Sequence, residues 1–239
     1  YTSEVRTEIA QSIAGTQSLD KAYFDALAVT KVGILALESL LFESHLSPYS
    51  QIKTDIISDY QQHARKCQVL TGMATQATKH TTQFADKWQN SYRTIFVSGT
   101  LDDGNSSIAE LLTKAQGHLD YIKSRKLQGT LDAQLADHAK ENIKANIAEI
   151  RRLVFGTQSS DHSLAKQMLL NGNANASAVN SVEANLTQVE NSLNAITGSL
   201  KTADLTALSS AIGLLDGNFK REIPDALGVT LGINFNDGD

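Results

Sequence analysis

Apolar positions recur along this chain at helical spacing almost from end to end. The cleanest run is Val179, Val182, Leu186, Val189, Leu193, Ile196 and Leu200, in steps of three and four. After a short break, Leu205, Leu208, Ile212, Leu215 and Phe219 repeat it. This pattern predicts two antiparallel helices, roughly 178–199 and 203–222, closed by an a/d seam. Upstream, Ile108, Leu111, Leu112, Ala115, Leu119 and Ile122 predict one helix, and Leu135, Ile143, Ile147, Ile150 and Val154 the next. Residues 157–162 and 171–177 read as polar breaks.

The first hundred residues are also helical in pattern. Residues 3–14 predict a short helix, and Ser18 or Asp20 caps a second over roughly 19–43. From Ala22 to Phe42 that second segment is apolar on nearly every side, with Asp25, Lys31 and Glu38 its only charges. Such a helix is expected to lie buried between others. Pro48 closes the following loop. Residues 50–97 carry a long stripe through Ile52, Ile56, Tyr60, His63, Cys67, Leu70, Ala74, Ala77, Phe84, Trp88 and Ile95, with Gly72 the natural point of interruption. Residues 98–105 form a loop. From Pro224 to Asp239 the pattern is not helical. Leu227, Val229, Leu231, Ile233 and Phe235 alternate with smaller or polar residues, which suits an extended tail with one buried face.

Composition sharpens this to an all-α fold. Only two prolines, Pro48 and Pro224, interrupt 239 residues, and aromatic residues are 6%, which favours helices over sheets. The net charge of −5 and the absence of a basic cluster argue against nucleic acid as a partner and against an anionic membrane surface. No uncharged apolar stretch reaches the ~18 residues of a membrane span. Cys67 is the single cysteine, so no internal disulfide forms. Its place on the stripe predicts a small buried apolar residue. Tyr1-Thr2-Ser3 runs straight into helical sequence, as in a mature or trimmed chain.

Candidate chemistry centres on Glu38. A carboxylate between Leu37, Leu40, Leu41 and Phe42 has to be paired, bind a cation or stay protonated, and Lys31 lies seven residues earlier on the same stripe. A backbone N–H of a neighbouring helix, or Tyr92, is the other expected partner. His138 and Glu141 form an HxxE pair in a strongly polar segment that a solvated helix face explains well. HExxH, GxSxG, GxGxxG and the phosphate-loop motif are absent, which argues against a zincin and against serine or nucleotide chemistry. Three glycosylation sequons, at Asn105, Asn175 and Asn185, are what chance gives in so polar a chain.

At Gly33-Ile34-Leu35-Ala36-Leu37-Glu38-Ser39-Leu40-Leu41-Phe42 the chain resembles the imelysin family, whose signature helix reads GxHxxE or a looser GxxALE followed by LLF or LLW. The segment 64–92, with Cys67, Trp88 and Tyr92, resembles the family's next long helix. The stretch 141–156 and the end from Ile223 to Asp239, with Pro224, Gly228, Phe235, Asp237 and Asp239, follow in the family's order. The resemblance implies an up-down helical bundle with an extended C-terminal tail, one domain over 1–239 divisible into sub-bundles near residue 100. It also implies that the first part of the family domain is absent. It places the protein outside the bacterial inner membrane, in the periplasm or on an outer-membrane lipid anchor, in a role connected to iron.

The resemblance implies a metallopeptidase with zinc or iron as the divalent metal. The signature histidine, however, is Leu35 here, which ligates nothing. The motif positions are Gly33, Leu35, Glu38, Trp88, Asp237 and Asp239, with Glu38 the one catalytic candidate and no metal ligand assigned. Two readings stand. One is a binding or accessory protein recognising a peptide, an iron-bearing ligand or a cell-envelope protein; the other is a metallopeptidase using Glu38 with ligands from elsewhere.

Overall fold

A computed structural model describes residues 3–45, 49–127, 135–158 and 161–231, apart from the side chains of Ser3 and Asn173. Pro48, Ile233, Phe235, Asp237 and Asp239 lie outside the described residues. Among the described residues the fold is all-α, with only two isolated bridges, Ser44 to Ser50 and Thr100 to Ser106. The chain divides into two compact units, Tyr1–Arg93 with Asp132–Ala136, and Thr94–Leu131 with Asp137–Asp239.

The first unit holds α1 (Ser3–Ala14), α2 (Lys21–Asp25), α3 (Ile34–Phe42), α4 (Lys53–Gln62) and α5 (Ala64–Lys87). Its apolar core is Val5, Ile9, Ile13, Phe24, Val32, Ala36, Leu40, Val69 and Met73. Several sequence expectations change here. The helix expected over 19–43 is broken into α2, a 3-10 turn Val29–Lys31 and α3. Asp20 caps α2 through the Tyr23 N–H, but Ala28 and Gly33 are extended. Nor is this segment enclosed on every side: Ile34 is 80% and Leu41 48% exposed.

The helix expected over 50–97 is interrupted at His63 (φ −122°, ψ 85°), between α4 and α5. Gly72 does not break α5. The Phe24 ring lies on it, and a Cβ there would come within 2.1 Å of Phe24 Cε2. Finally, the buried stripe sits one residue away from the expected one. Asp59, Lys66, Val69, Met73 and Gln76 face inward, while Cys67, Ile52 and Phe84 are exposed. One residue is a 100° turn of a helix, and both phases carry apolar residues at 69–70 and 73–74. The inward phase is decided by Lys66 and Asp59, which find partners only inside.

From α5 the helix runs through a π-helical turn, Trp88–Tyr92, into α6 (Arg93–Val97). The second unit contains α7 (Ser107–Tyr121), α8 (Ala139–Phe155), α9 (Leu164–Asn171), α10 (Ala176–Ala195), α11 (Thr206–Gly217) and α12 (Ile223–Leu227). The seam forms as its spacing predicts: Val182, Leu186, Val189, Leu193, Leu208, Ile212, Leu215 and Phe219 are all buried. Arg151 of α8 ties to Glu190 and Glu183 of α10, each at 2.7 Å. The tail is helical for one more turn than expected. Pro224 sits in the first turn of α12, which follows directly on a π-helical turn, Asn218–Glu222, and Gly228 ends it in the left-handed region (φ 68°). The amides of Asn171 and Asn175 both donate to Ala226 O at 3.2 Å.

Candidate functional site

The inward side of α3 carries Ala36, Glu38, Ser39 and Leu40. Glu38 is 6% exposed, and its Oε1 accepts the Ala136 backbone N–H at 2.8 Å. Lys31 is not the partner the spacing suggested; it pairs with Glu8 of α1 at 2.8 Å, because the 3-10 turn before Gly33 takes it off the α3 stripe. Leu35 is partly exposed one turn ahead of Glu38 on α3 and offers no donor atom. Trp88 packs against Tyr92 within the π-helical turn, ring centroids 5.7 Å apart. His138 and Glu141, at 4.0 Å, are both largely exposed at the start of α8, as expected of a solvated face.

Beside Glu38 lies a set of buried polar side chains that the spacing alone did not bring together: Ser39 and Glu43 from α3 and its end, His45 from the following segment, Asp59 from α4 and Lys66 from α5. Lys66 Nζ is wholly buried. It reaches Asp59 Oδ2 at 2.5 Å and Glu43 O at 3.0 Å, with its charge 4.4 Å over the Tyr60 ring. Arg6 of α1 grips Glu43 with two bonds, Nε to Oε2 at 2.9 Å and Nη2 to Oε1 at 2.7 Å. Asp59 also accepts the His45 backbone N–H at 2.7 Å and lies 3.0 Å from His63 Nδ1. Burial on its own would raise the Asp59 carboxyl, but these bonds and the Lys66 charge hold it below the usual carboxylate range.

His45 is the least satisfied member. Ser39 Oγ donates to Glu43 Oε2 at 3.1 Å, so its remaining role toward His45 Nε2, 3.3 Å away, is to accept. The ring proton therefore sits on Nε2, and Nδ1 is a bare lone pair. Nδ1 is buried without a donor, 3.9 Å from Asp59 Oδ2. Burial first, and then the Lys66 charge, push the imidazole down to about 4 against the pull of Asp59, so it is neutral at neutral pH. The Tyr49 ring meets it edge-on at 5.7 Å.

Ser39, His45 and Asp59 thus line up in the order of a nucleophile, base and orienting acid. They cannot act as one, because the serine proton already belongs to Glu43 and the histidine donates toward the serine. A metal does not fit either. Two ring nitrogens converge on Asp59, His45 Nδ1 toward Oδ2 and His63 Nδ1 toward Oδ1, and the Lys66 ammonium already sits on Oδ2. A transition metal needs three or four protein donors. Among the described residues, no three of His, Cys, Asp and Glu form a group able to hold one. The arrangement links α1, α3, α4 and α5 through charge, and it holds α3 with Glu38 inward and Ile34, Leu35 and Leu41 outward.

In the sequence these residues occupy the phase next to the apolar stripe: Asp59, Lys66, Val69, Met73 and Gln76 are spaced seven, three, four and three. The comparisons with known proteins agree with the signature on α3. The family described as imelysin, a peptidase family by its designation, matches residues 4–223. No curated protein and no solved structure matches the chain.

Proposed function

The chain belongs to the imelysin family, and on that premise we propose that it is an exported binding or accessory protein of the bacterial cell envelope, linked to iron uptake, in which the family's peptidase chemistry is not retained. One observation carries this reading. The carboxylates around the signature helix are already committed: Glu38 to a backbone N–H, Glu43 to Arg6 and Ser39, Asp59 to Lys66. With Leu35 in place of the histidine, a catalytic metal would have to displace the protein's own cations. The buried Lys66–Asp59 pair would be broken at a cost of several kcal/mol, and the partly exposed Arg6–Glu43 pair with it.

What α3 does offer is a surface. Ile34 and Leu41 lie seven residues apart on one face with half-buried Leu37 between them, an apolar stripe on a helix whose other side is fixed by the charged centre. Exposed apolar stripes of this kind mark contact with a partner or ligand. A peptide, an iron-bearing ligand or an envelope protein is the class of partner. Among the described residues no helix is long and apolar enough to cross a membrane. The test is an activity measurement: oxidised insulin B chain incubated with the protein in the presence of zinc or ferrous iron, with the products separated by mass. The reading expects an uncut peptide under both metals. Cleavage that disappears in Glu38→Gln would restore the metallopeptidase reading.

A further inference from the structure

The stretch that leads from the end of α3 through α4, residues 43–45 and 49–62, is held down chiefly by polar contacts. Its buried residues are Glu43, Ser44 and Asp59, and no apolar side chain among them is buried; Ile52 and Ile57 are 62% and 46% exposed. The nearest members of the apolar core, Leu40 and Val69, lie before and after it. Its ties to the rest of the unit are Glu43 to Arg6, Asp59 to Lys66, and the Tyr60 hydroxyl, which donates to Leu40 O at 2.8 Å. A stretch that buries so little apolar surface belongs to the low-stability end of a fold. It is kept closed by a balance of charge, the two cations Arg6 and Lys66 against the two carboxylates Glu43 and Asp59.

His45 sits inside that balance. Its side chain is 1% exposed, Nε2 carries the proton shared with Ser39, and an added proton therefore lands on Nδ1, which has no partner. Asp59 Oδ2, 3.9 Å off, already accepts Lys66 Nζ and the His45 backbone N–H. The other oxygen of Asp59 faces His63, and the oxygens of Glu43 are taken by Arg6 and Ser39. Tyr49 meets the ring edge-on and itself lies under Arg6. A protonated His45 is thus a third cation against two carboxylates, buried and without an acceptor, and such a charge is costly until it reaches water.

We propose that residues 43–45 and 49–62 form an acid-released strap: with His45 neutral the strap lies closed over Lys66, and with His45 protonated the surplus charge drives it open and frees Ser39 and Leu40 O at the end of α3. Its consequence for binding at the outer face of α3 rests on the function proposed above; the opening itself is measured without a partner. Amide hydrogen exchange of the intact chain is followed at pH 7.5 and pH 5.0 and corrected for the intrinsic rate at each. Protection of residues 56–62 in α4 falls about tenfold or more between the two, because the open strap takes up a proton that the closed one refuses. At pH 5.0 these amides exchange faster than those of residues 69–76 in α5, which marks a local opening rather than unfolding of the unit. His45→Gln, which cannot take the proton, abolishes the fall, and His63→Gln keeps it. Protection of α4 that does not change with pH, α4 and α5 amides exchanging together, an equal fall in His45→Gln, or its loss in His63→Gln overturns the proposal. The first two are read on the natural chain, so the test stands even where a variant does not fold.

Discussion

Along α10 and α11 of the second unit, the inward positions are Val182, Leu186, Val189, Leu193, Leu208, Ala211, Ile212 and Leu215, apolar but for the neighbouring Asp216, which accepts the Gln116 amide. Along α4 and α5 of the first unit they are Asp59, Lys66, Val69, Met73 and Gln76. Both stripes have helical spacing and both are sealed from water. They differ in what fixes the phase of the helix. In the hairpin, any rotation exposes leucine and valine, so apolar burial selects one face. In α5 two adjacent faces are comparably apolar, and the choice falls to an ammonium that reaches Asp59, Glu43 O and the Tyr60 ring only from within. A charge can set the register of a core when the apolar pattern does not.

That contrast is broken most severely at Lys66. Lys66→Met leaves Asp59 buried without its cation and is expected to destabilise the first unit by about 3–5 kcal/mol, whereas Lys66→Met combined with Asp59→Leu recovers most of the loss. Urea unfolding followed by the fluorescence of Trp88, the single tryptophan and a member of this unit, measures both. If the double variant is no more stable than Lys66→Met, the charge pair is not what sets the phase. In the apolar hairpin, Leu193→Ala should cost about 2–4 kcal/mol through lost burial and the cavity left behind. Circular dichroism melting checks it, and a loss below half a kcal/mol would take Leu193 out of the seam.

Acid separates the two regions next. The His45 imidazole is held down to about 4, below its unfolded value of 6.5, so the unfolded chain binds the extra proton between those values. Stability from His45 is therefore complete above pH 6.5 and is lost as the pH falls towards 4, with a slope of at most about 1.4 kcal/mol per pH unit. The urea midpoint of the first unit should drop between pH 7.5 and pH 5, and His45→Gln should flatten the drop. An equal drop in that variant assigns the acid sensitivity elsewhere. The smallest effect is at Cys67: placed outward by the phase of α5, Cys67→Ala should change stability by no more than about 0.5 kcal/mol. A loss of several times that would return Cys67 to the core and Lys66 to the surface.

The same contrast explains how much could be read from the sequence. The all-α class, the hairpin and its seam residues, the burial of Glu38 and the family signature on α3 all follow from spacing and residue type, because apolar burial is periodic and local. The break at His63, the three-part path from Asp20 to Phe42 and the meeting of Arg6, Glu43, Asp59 and Lys66 do not. They depend on contacts between residues up to tens of positions apart, where a lysine on a helix reads as solvated until its partner is known. His45 stands three residues past the end of α3, where helical spacing no longer places a side chain. The chain folds it back against Ser39 and Asp59.

On the proposed function, the carboxylates near the signature helix serve the protein's own cations and amides rather than a metal. Elemental analysis of the purified chain, after exposure to zinc and to ferrous iron and removal of loosely bound ions, tests it most directly. Far less than one equivalent of either metal is expected, with no difference between the natural chain and Glu38→Gln. One tightly held equivalent in the natural chain, absent from Glu38→Gln, would contradict it.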